Sequence, residues 1–159
     1  MNKRTLLKAI ITQLQTELAT FTRAAKSARS EATDEQSRAE NKYDTRGLEA
    51  SYLAAGQARQ VAEMESAIAA FEALPVRAFA PGEDIGMGAL VELEQNGERL
   101  NYFIGPCAGG TEAVCGKREV LVLTLQSPLG GQLQGRKQGD QLELLLGGKK
   151  RRVQIISVS

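Results

Sequence analysis

Two runs of mainly apolar and small residues, each spaced alternately by four and three and the second interrupted by Gly47 and Gln57, occupy the first half of the chain. The first comprises Leu7, Ile11, Leu14, Leu18, Phe21, Ala25, Ala28 and Ala32, and the second Tyr43, Gly47, Ala50, Ala54, Gln57, Val61, Met64, Ile68 and Phe71. An average spacing of 3.5 residues keeps one face of a helix turned to a partner, which is the seam of a coiled coil. Antiparallel pairing sets Leu7 against Phe71, Leu14 against Met64 and Ala28 against Ala50, so the chain must reverse near Ala39. Residues 1–74 contain no proline, and Pro75 and Pro81 bracket the segment ALPVRAFAPGED where the helical pattern stops. Proline ends a helix because it lacks the amide donor and its ring clashes with the preceding turn. The pattern predicts an antiparallel coiled-coil hairpin over 1–74, with its tip at about 33–46, and a linker over 75–81.

The hairpin is thin toward its tip. Large side chains fill the end nearest Pro75, whereas Ala25, Ala28, Ala32, Ala50 and Ala54 line the far half. At 1.5 Å per residue, arms of about 30 residues reach roughly 45 Å. The tip, SEATDEQSRAENKYDTRG, carries Glu31, Asp34, Glu35, Glu40 and Asp44 against Arg38, Lys42 and Arg46. Such charges are ordinarily a solvated turn. To act on a metal they would have to converge, and two or three carboxylates supply only half the oxygen ligands of a hard cation such as Mg²⁺. A second protein would have to supply the rest.

From residue 82 the composition shifts to Gly, Val and Leu with strand-like alternation. Five strands are expected, over residues 89–95, 99–106, 118–126, 141–148 and 150–159, with Asn96-Gly97 and Gly147-Gly148 as hairpin turns. Between the third and fourth lies SPLGGQLQG. Ser127 suits an N-cap, Pro128 the first helical position, and Leu129 and Leu133 share a face, so a short helix should lie on the sheet. Gly139 then serves the turn into the next strand. GPCAGGTEAVCG reads as a glycine-containing loop, and GKKRR, Gly148 to Arg152, as a solvated strand start, with contact to an acidic surface or to nucleic acid as the alternative. The fold class is α+β.

Composition excludes several functions. The chain has no histidine, which removes Ser-His-Asp and Cys-His nucleophilic pairs and His-based zinc sites. A formal net charge of +1 removes one argument for binding DNA, and no sequence-specific DNA contact is expected. Lys8, Gln13, Gln15 and Glu17 interrupt the N-terminal apolar run, so neither a signal peptide nor a membrane span is read there and a cytoplasmic protein is expected. Cys107 and Cys115 are then expected to stay reduced.

Taken together, GALVEL, YFIGP, SPLG, the later Gly139-Asp140 pair and the terminal VQIISVS resemble the C-terminal domain of the bacterial Gre-type (GreA/GreB-like) transcript cleavage factors. The resemblance extends over roughly 82–159 and implies an FKBP-like antiparallel β-sheet domain with a short helix. The other part of that family is a long N-terminal coiled-coil hairpin, so nearly the whole chain is covered. The resemblance implies a transcription elongation factor whose partner is RNA polymerase and whose contact with nascent RNA is indirect. The globular domain would dock at the rim of the secondary channel, through Ser127, Pro128, Leu129, Gly139 and Asp140. The hairpin would enter the channel, where tip carboxylates help hold a Mg²⁺ shared with the polymerase active site, and backtracked RNA is cleaved. The chain would be an accessory factor rather than an enzyme and would hold no tightly bound cofactor by itself.

The tip departs from the family pattern of Gly-Asp, Leu, a basic residue, Glu-Asn and a nearby Tyr. SRAENKYD keeps Glu40, Asn41 and Tyr43 in order, but Ser37 stands where the family has Asp, and the Tyr comes one residue early. Glu40 and Asp44 are the expected pair, with Asp34 and Glu35 as substitutes across the loop and Asn41 and Tyr43 as further tip residues. A channel-binding regulator without cleavage activity is the alternative. Two readings of other classes remain: a peptidyl-prolyl isomerase, for which adjacent Tyr102 and Phe103 would face opposite ways on a strand, and a structural adaptor.

Overall fold

The structure, a computed structural model, describes residues 1–33 and 46–159. Helix α1 spans Lys3–Thr33 and helix α2 Arg46–Glu72. Asn2 caps α1, its side-chain Oδ1 accepting from the Arg4 amide at 2.9 Å. α2 stops three residues before Pro75, and Gly56 does not interrupt it. The chain divides into two compact units, Leu14–Ile68 and Met1–Gln13 with Ala69–Ser159.

In the unit Leu14–Ile68 the apolar stripes are the shielded positions. Leu14 and Ala28 are buried on α1 and Leu18, Phe21 and Ala25 half-buried; on α2 Ile68 is buried and Ala54, Gln57, Val61 and Met64 half-buried. Most intervening positions face solvent. This is the burial that a 3.5-residue repeat produces. One member is polar: Gln57 Oε1 is buried without a hydrogen-bond partner among the described residues.

The other unit is built on a six-stranded sheet. Its strands are β1 (Leu90–Gln95), β2 (Glu98–Ile104), β3 (Glu112–Cys115), β4 (Arg118–Leu123), β5 (Gln141–Leu146) and β6 (Lys149–Val158), in spatial order β3-β4-β2-β1-β6-β5. Helix α3, Pro128–Leu133, lies between β4 and β5 in the chain. Pairings are antiparallel except β2 with β4. That exception follows from β3, a strand where the sequence pattern predicts a loop. The chain leaves β2, runs to the sheet edge as β3, and doubles back as β4 between the two, parallel to β2. β3 is four residues long and buries only Ala113, too little for an alternation to show. The expected hairpin turns are present: Asn96 and Gly97 have φ of 52° and 84°, and Gly147 and Gly148 58° and 76°, the left-handed pair that matches strand twist.

Both faces of the sheet contribute buried residues. Val91, Leu93, Tyr102, Ile104, Leu123, Leu144, Val153 and Ile155 project to one side, where Phe79, Ile85 and Leu133 complete the core. Leu90, Phe103 and Val122 are aligned in register on the other side and are also buried. There the last turn of α2 approaches so closely that a Cβ on Gly105 would lie 2.8 Å from Cζ of Phe71 and 3.0 Å from Cγ1 of Val122. Leu6, Leu7 and Ile10 at the start of α1 are buried in the same unit. Leu6 and Ile10 lie off the heptad seam, so their burial is set by the globular unit.

Candidate functional site

Glu40, Asp44, Asp34, Glu35, Asn41 and Tyr43 lie outside the described residues. Among those described, no group of three or more His, Cys, Asp or Glu side chains could hold a metal ion. Cys107 and Cys115 are free thiols, both half-buried, and burial pushes the Cys107 thiol up.

The residues of the docking expectation fall on two neighbouring stretches. Ser127 is the N-cap of α3, with extended backbone, φ −70° and ψ 153°. Its Oγ accepts from the Gly130 amide at 3.1 Å and donates to the Thr124 carbonyl at 2.7 Å. Pro128 follows in the first turn, where its missing N–H costs nothing. Gly130 has no alternative residue, because a Cβ there would sit 1.9 Å from the Thr124 carbonyl oxygen. Leu129 is partly buried against the core and Leu133 fully so. Gln132 ties the helix to the edge strand, its Oε1 accepting from the Leu145 amide at 3.0 Å.

Gly139 and Asp140 form the turn into β5. Gly139 has φ 92° and donates its amide to Ile155 O at 2.8 Å. Asp140 Oδ2 accepts from the Lys137 amide at 2.9 Å, while its carbonyl accepts from Ile155 N at 2.9 Å. All five residues thus have a role in building the fold. Pro128 and Gly139 are exposed, and Ser127, Leu129 and Asp140 half-buried. Tyr102 and Phe103 are buried on opposite faces of β2, so neither offers an open ring for a proline substrate; burial raises the Tyr102 hydroxyl pKa.

A charged cluster without a sequence motif lies at the start of α1. Lys3 Nζ donates to the carbonyls of Arg77 at 2.8 Å and Gly88 at 2.9 Å, and lies 4.5 Å from the Phe79 ring centre. The Arg77 guanidinium stacks on the same ring at 3.7 Å and pairs with Glu83. Glu83 Oε2 also accepts from the Ala80 amide at 2.9 Å. Burial, and then the Arg77 charge, lower the Lys3 pKa to about 8 against an opposing pull from Glu83. The Ala80 amide, with Arg77 next, holds the Glu83 carboxyl low. The segment between the prolines is therefore fastened to the first turn of α1. Partners 74 and 85 residues apart leave no periodic signal that could have announced them.

Residues 80–159 match the family model described as transcription elongation factor, GreA/GreB, C-terminal. Comparison with curated proteins gives no match. Among solved structures the chain is similar to the GreA factor homolog 1 (Gfh1) protein of Thermus thermophilus, at 24% identity over 96% of each chain and a TM-score of 0.41. It is likewise similar to Thermus aquaticus Gfh1, at 26% identity over 95% of this chain and 94% of that one, TM-score 0.41. The GreA/GreB elongation factor from Nitrosomonas europaea is 22% identical over 60% of this chain and 78% of that one, TM-score 0.39. The family model takes in half of the chain, including the capped SPLG turn, the close-packed Gly105 and the Gly139-Asp140 turn, and by that match the chain belongs to the GreA/GreB family of transcription elongation factors.

Proposed function

We propose that this protein is an accessory factor of bacterial RNA polymerase that inserts its helical arm into the secondary channel and assists cleavage of backtracked RNA. The observation that carries the reading is the family match over 80–159. Two helices of 31 and 27 residues support it, since each is long enough to reach a buried active site from the rim of a channel. Glu40 and Asp44 contribute carboxylate oxygens to a Mg²⁺ that polymerase ligands also hold, a donor type that suits a hard cation. When bound, that ion supplies a metal-activated water and charge neutralisation at the phosphate. The factor itself orients its acids, and it meets the transcript only through the polymerase site. The segment from Ser127 to Asp140 forms the docking surface, and the hydrogen bonds of Ser127 and Asp140 maintain its shape rather than reaching the partner.

Ser37 in place of the family's acid favours a second reading, a channel-binding regulator that occupies the site without promoting cleavage. Both are tested by RNA cleavage in a stalled, backtracked bacterial polymerase complex, with the protein and with a Glu40→Ala/Asp44→Ala variant. Stimulation that is lost in the variant establishes the cleavage role. Displacement of a channel-binding factor without stimulation establishes the regulator, and the absence of both effects refutes polymerase binding altogether.

A further inference from the structure

The β5–β6 hairpin outruns its neighbour. β6 pairs with β5 from Lys149 to Gln154, whereas β1 joins it only between Gln154 and Val158. β1 turns away at Asn96-Gly97, leaving the first residues of β6 with a partner strand on one side. The direction of their backbone groups follows from β5. The Leu145 amide donates to Gln132, on the side away from β6, so the Leu145 and Lys150 pair is of the non-hydrogen-bonded type. The N–H and C=O of Lys150, and by alternation those of Arg152, therefore point toward the open side.

This open edge is strongly basic. Lys149, Lys150, Arg151 and Arg152 are all exposed, and with Gln95 and Asn96 they line an open cleft of ≈ 470 Å³. Among the described residues none of the four has an ion-pair partner, whereas Arg99 and Arg118 share Glu92 at 2.7 and 3.6 Å. Glu143, opposite Arg152 in register, is the only acid between Gln141 and Arg152.

We propose that the Lys149–Arg152 edge of β6 is a docking site for an acidic, extended protein segment that adds to the sheet as a further strand. The open backbone supplies the ladder, and Lys150 and Arg152, which share one face of the strand, select carboxylates on alternate residues of the incoming segment. The same cations repel a second copy of this edge, so the strand is closed to self-pairing and open to a partner of opposite charge. A nucleic acid fits less well. Residues 141–152 contain no aromatic side chain on which bases could stack, and phosphate attraction would make no use of the open ladder. The proposal goes beyond the polymerase reading and stands without it.

The test uses the full chain and a fluorescently labelled peptide of alternating Glu and Val, titrated by anisotropy at low and high salt. The same peptide with N-methylated backbone amides serves as one control, and single-stranded and duplex RNA of equal charge as others. The peptide should bind, shifting the amide resonances of Lys150 and Arg152. Affinity should fall about tenfold in a Lys150→Glu/Arg152→Glu variant and about as much on N-methylation. An Arg152→Pro variant keeps three of the cations and removes one open-edge donor, and it should also weaken binding while circular dichroism shows an intact fold. Absence of peptide binding, or equal binding of the N-methylated peptide, overturns the proposal. RNA binding tighter than the peptide and sensitive to the same charge reversal overturns it in favour of a nucleic-acid site.

Discussion

Replacing Gly105 by alanine tests how the end of α2 is joined to the sheet. The glycine's φ lies outside the left-handed region, so alanine meets no backbone strain there and would by itself stabilise by about 0.5 kcal/mol through the unfolded state. Its methyl, however, would stand 2.8 Å from Phe71 Cζ, 3.1 Å from Phe71 Cε1 and 3.0 Å from Val122 Cγ1. Phe71 is 1% exposed and Val122 0%, so neither can swing into solvent. Overpacking of this kind costs about 2 kcal/mol, leaving a net loss of roughly 1.5 kcal/mol and a midpoint lower by about 5 °C. Phe71→Leu removes the ring atoms that the methyl would strike, and alone it should cost about 1.5 kcal/mol through the cavity it leaves. In the double variant the methyl fills that cavity, so the two losses should fall short of additivity by about 1 kcal/mol or more. Urea unfolding followed by far-ultraviolet circular dichroism on the four proteins of the cycle supplies the numbers. A neutral Gly105→Ala, or strictly additive losses, would refute the close packing of Phe71 on Gly105.

Gly56 lies exposed inside α2 with open space where a Cβ would go, so Gly56→Ala should stabilise the helix by about 1 kcal/mol; a lower midpoint in the same unfolding assay contradicts this. Gln57→Leu removes a buried amide oxygen that has no partner among the described residues and should gain about 1 kcal/mol, with any loss of stability showing that Gln57 has a partner in solution. Lys3 sets a pH dependence. Its folded pKa of about 8 lies below the ordinary 10.5, so the unfolded chain binds the extra proton between these values and stability rises with pH across that window. Below it both states are protonated and the cost of the half-buried charge is felt in full. Solvent screening of a partly exposed ammonium holds the rise to about 1 kcal/mol, and Lys3→Met should flatten the profile; stability that falls across the window in the parent chain sinks the assignment.

Much of the fold was legible because its signals are local. The 3.5-residue stripes mark the residues that are shielded on α1 and α2, and Ser127, Pro128 and Gly139 occupy the cap, first-turn and left-handed positions their chemistry suits. Asn96-Gly97 and Gly147-Gly148 form the turns their sequence demands. β3 was illegible because four residues with one buried side chain carry no period, and losing it hid the parallel pairing of β2 with β4. The motif residues themselves could be recognised, but their reasons could not. Gly105 and Gly130 are glycines because of Phe71 and of the Thr124 carbonyl, neighbours that only the folded chain provides.

By itself the sequence determined the element types, the two halves of different composition, and the family resemblance carried by residues 82–159, since periodicity, capping and turn chemistry act over a few residues. The tertiary structure alone decided the sheet order, the burial of Leu6 and Ile10 off the heptad seam, the Lys3 cluster on the linker and the open basic edge of β6. Each of these joins residues far apart in the chain, and which distant surfaces meet is set by the packing of the whole core, on which no short window of sequence reports.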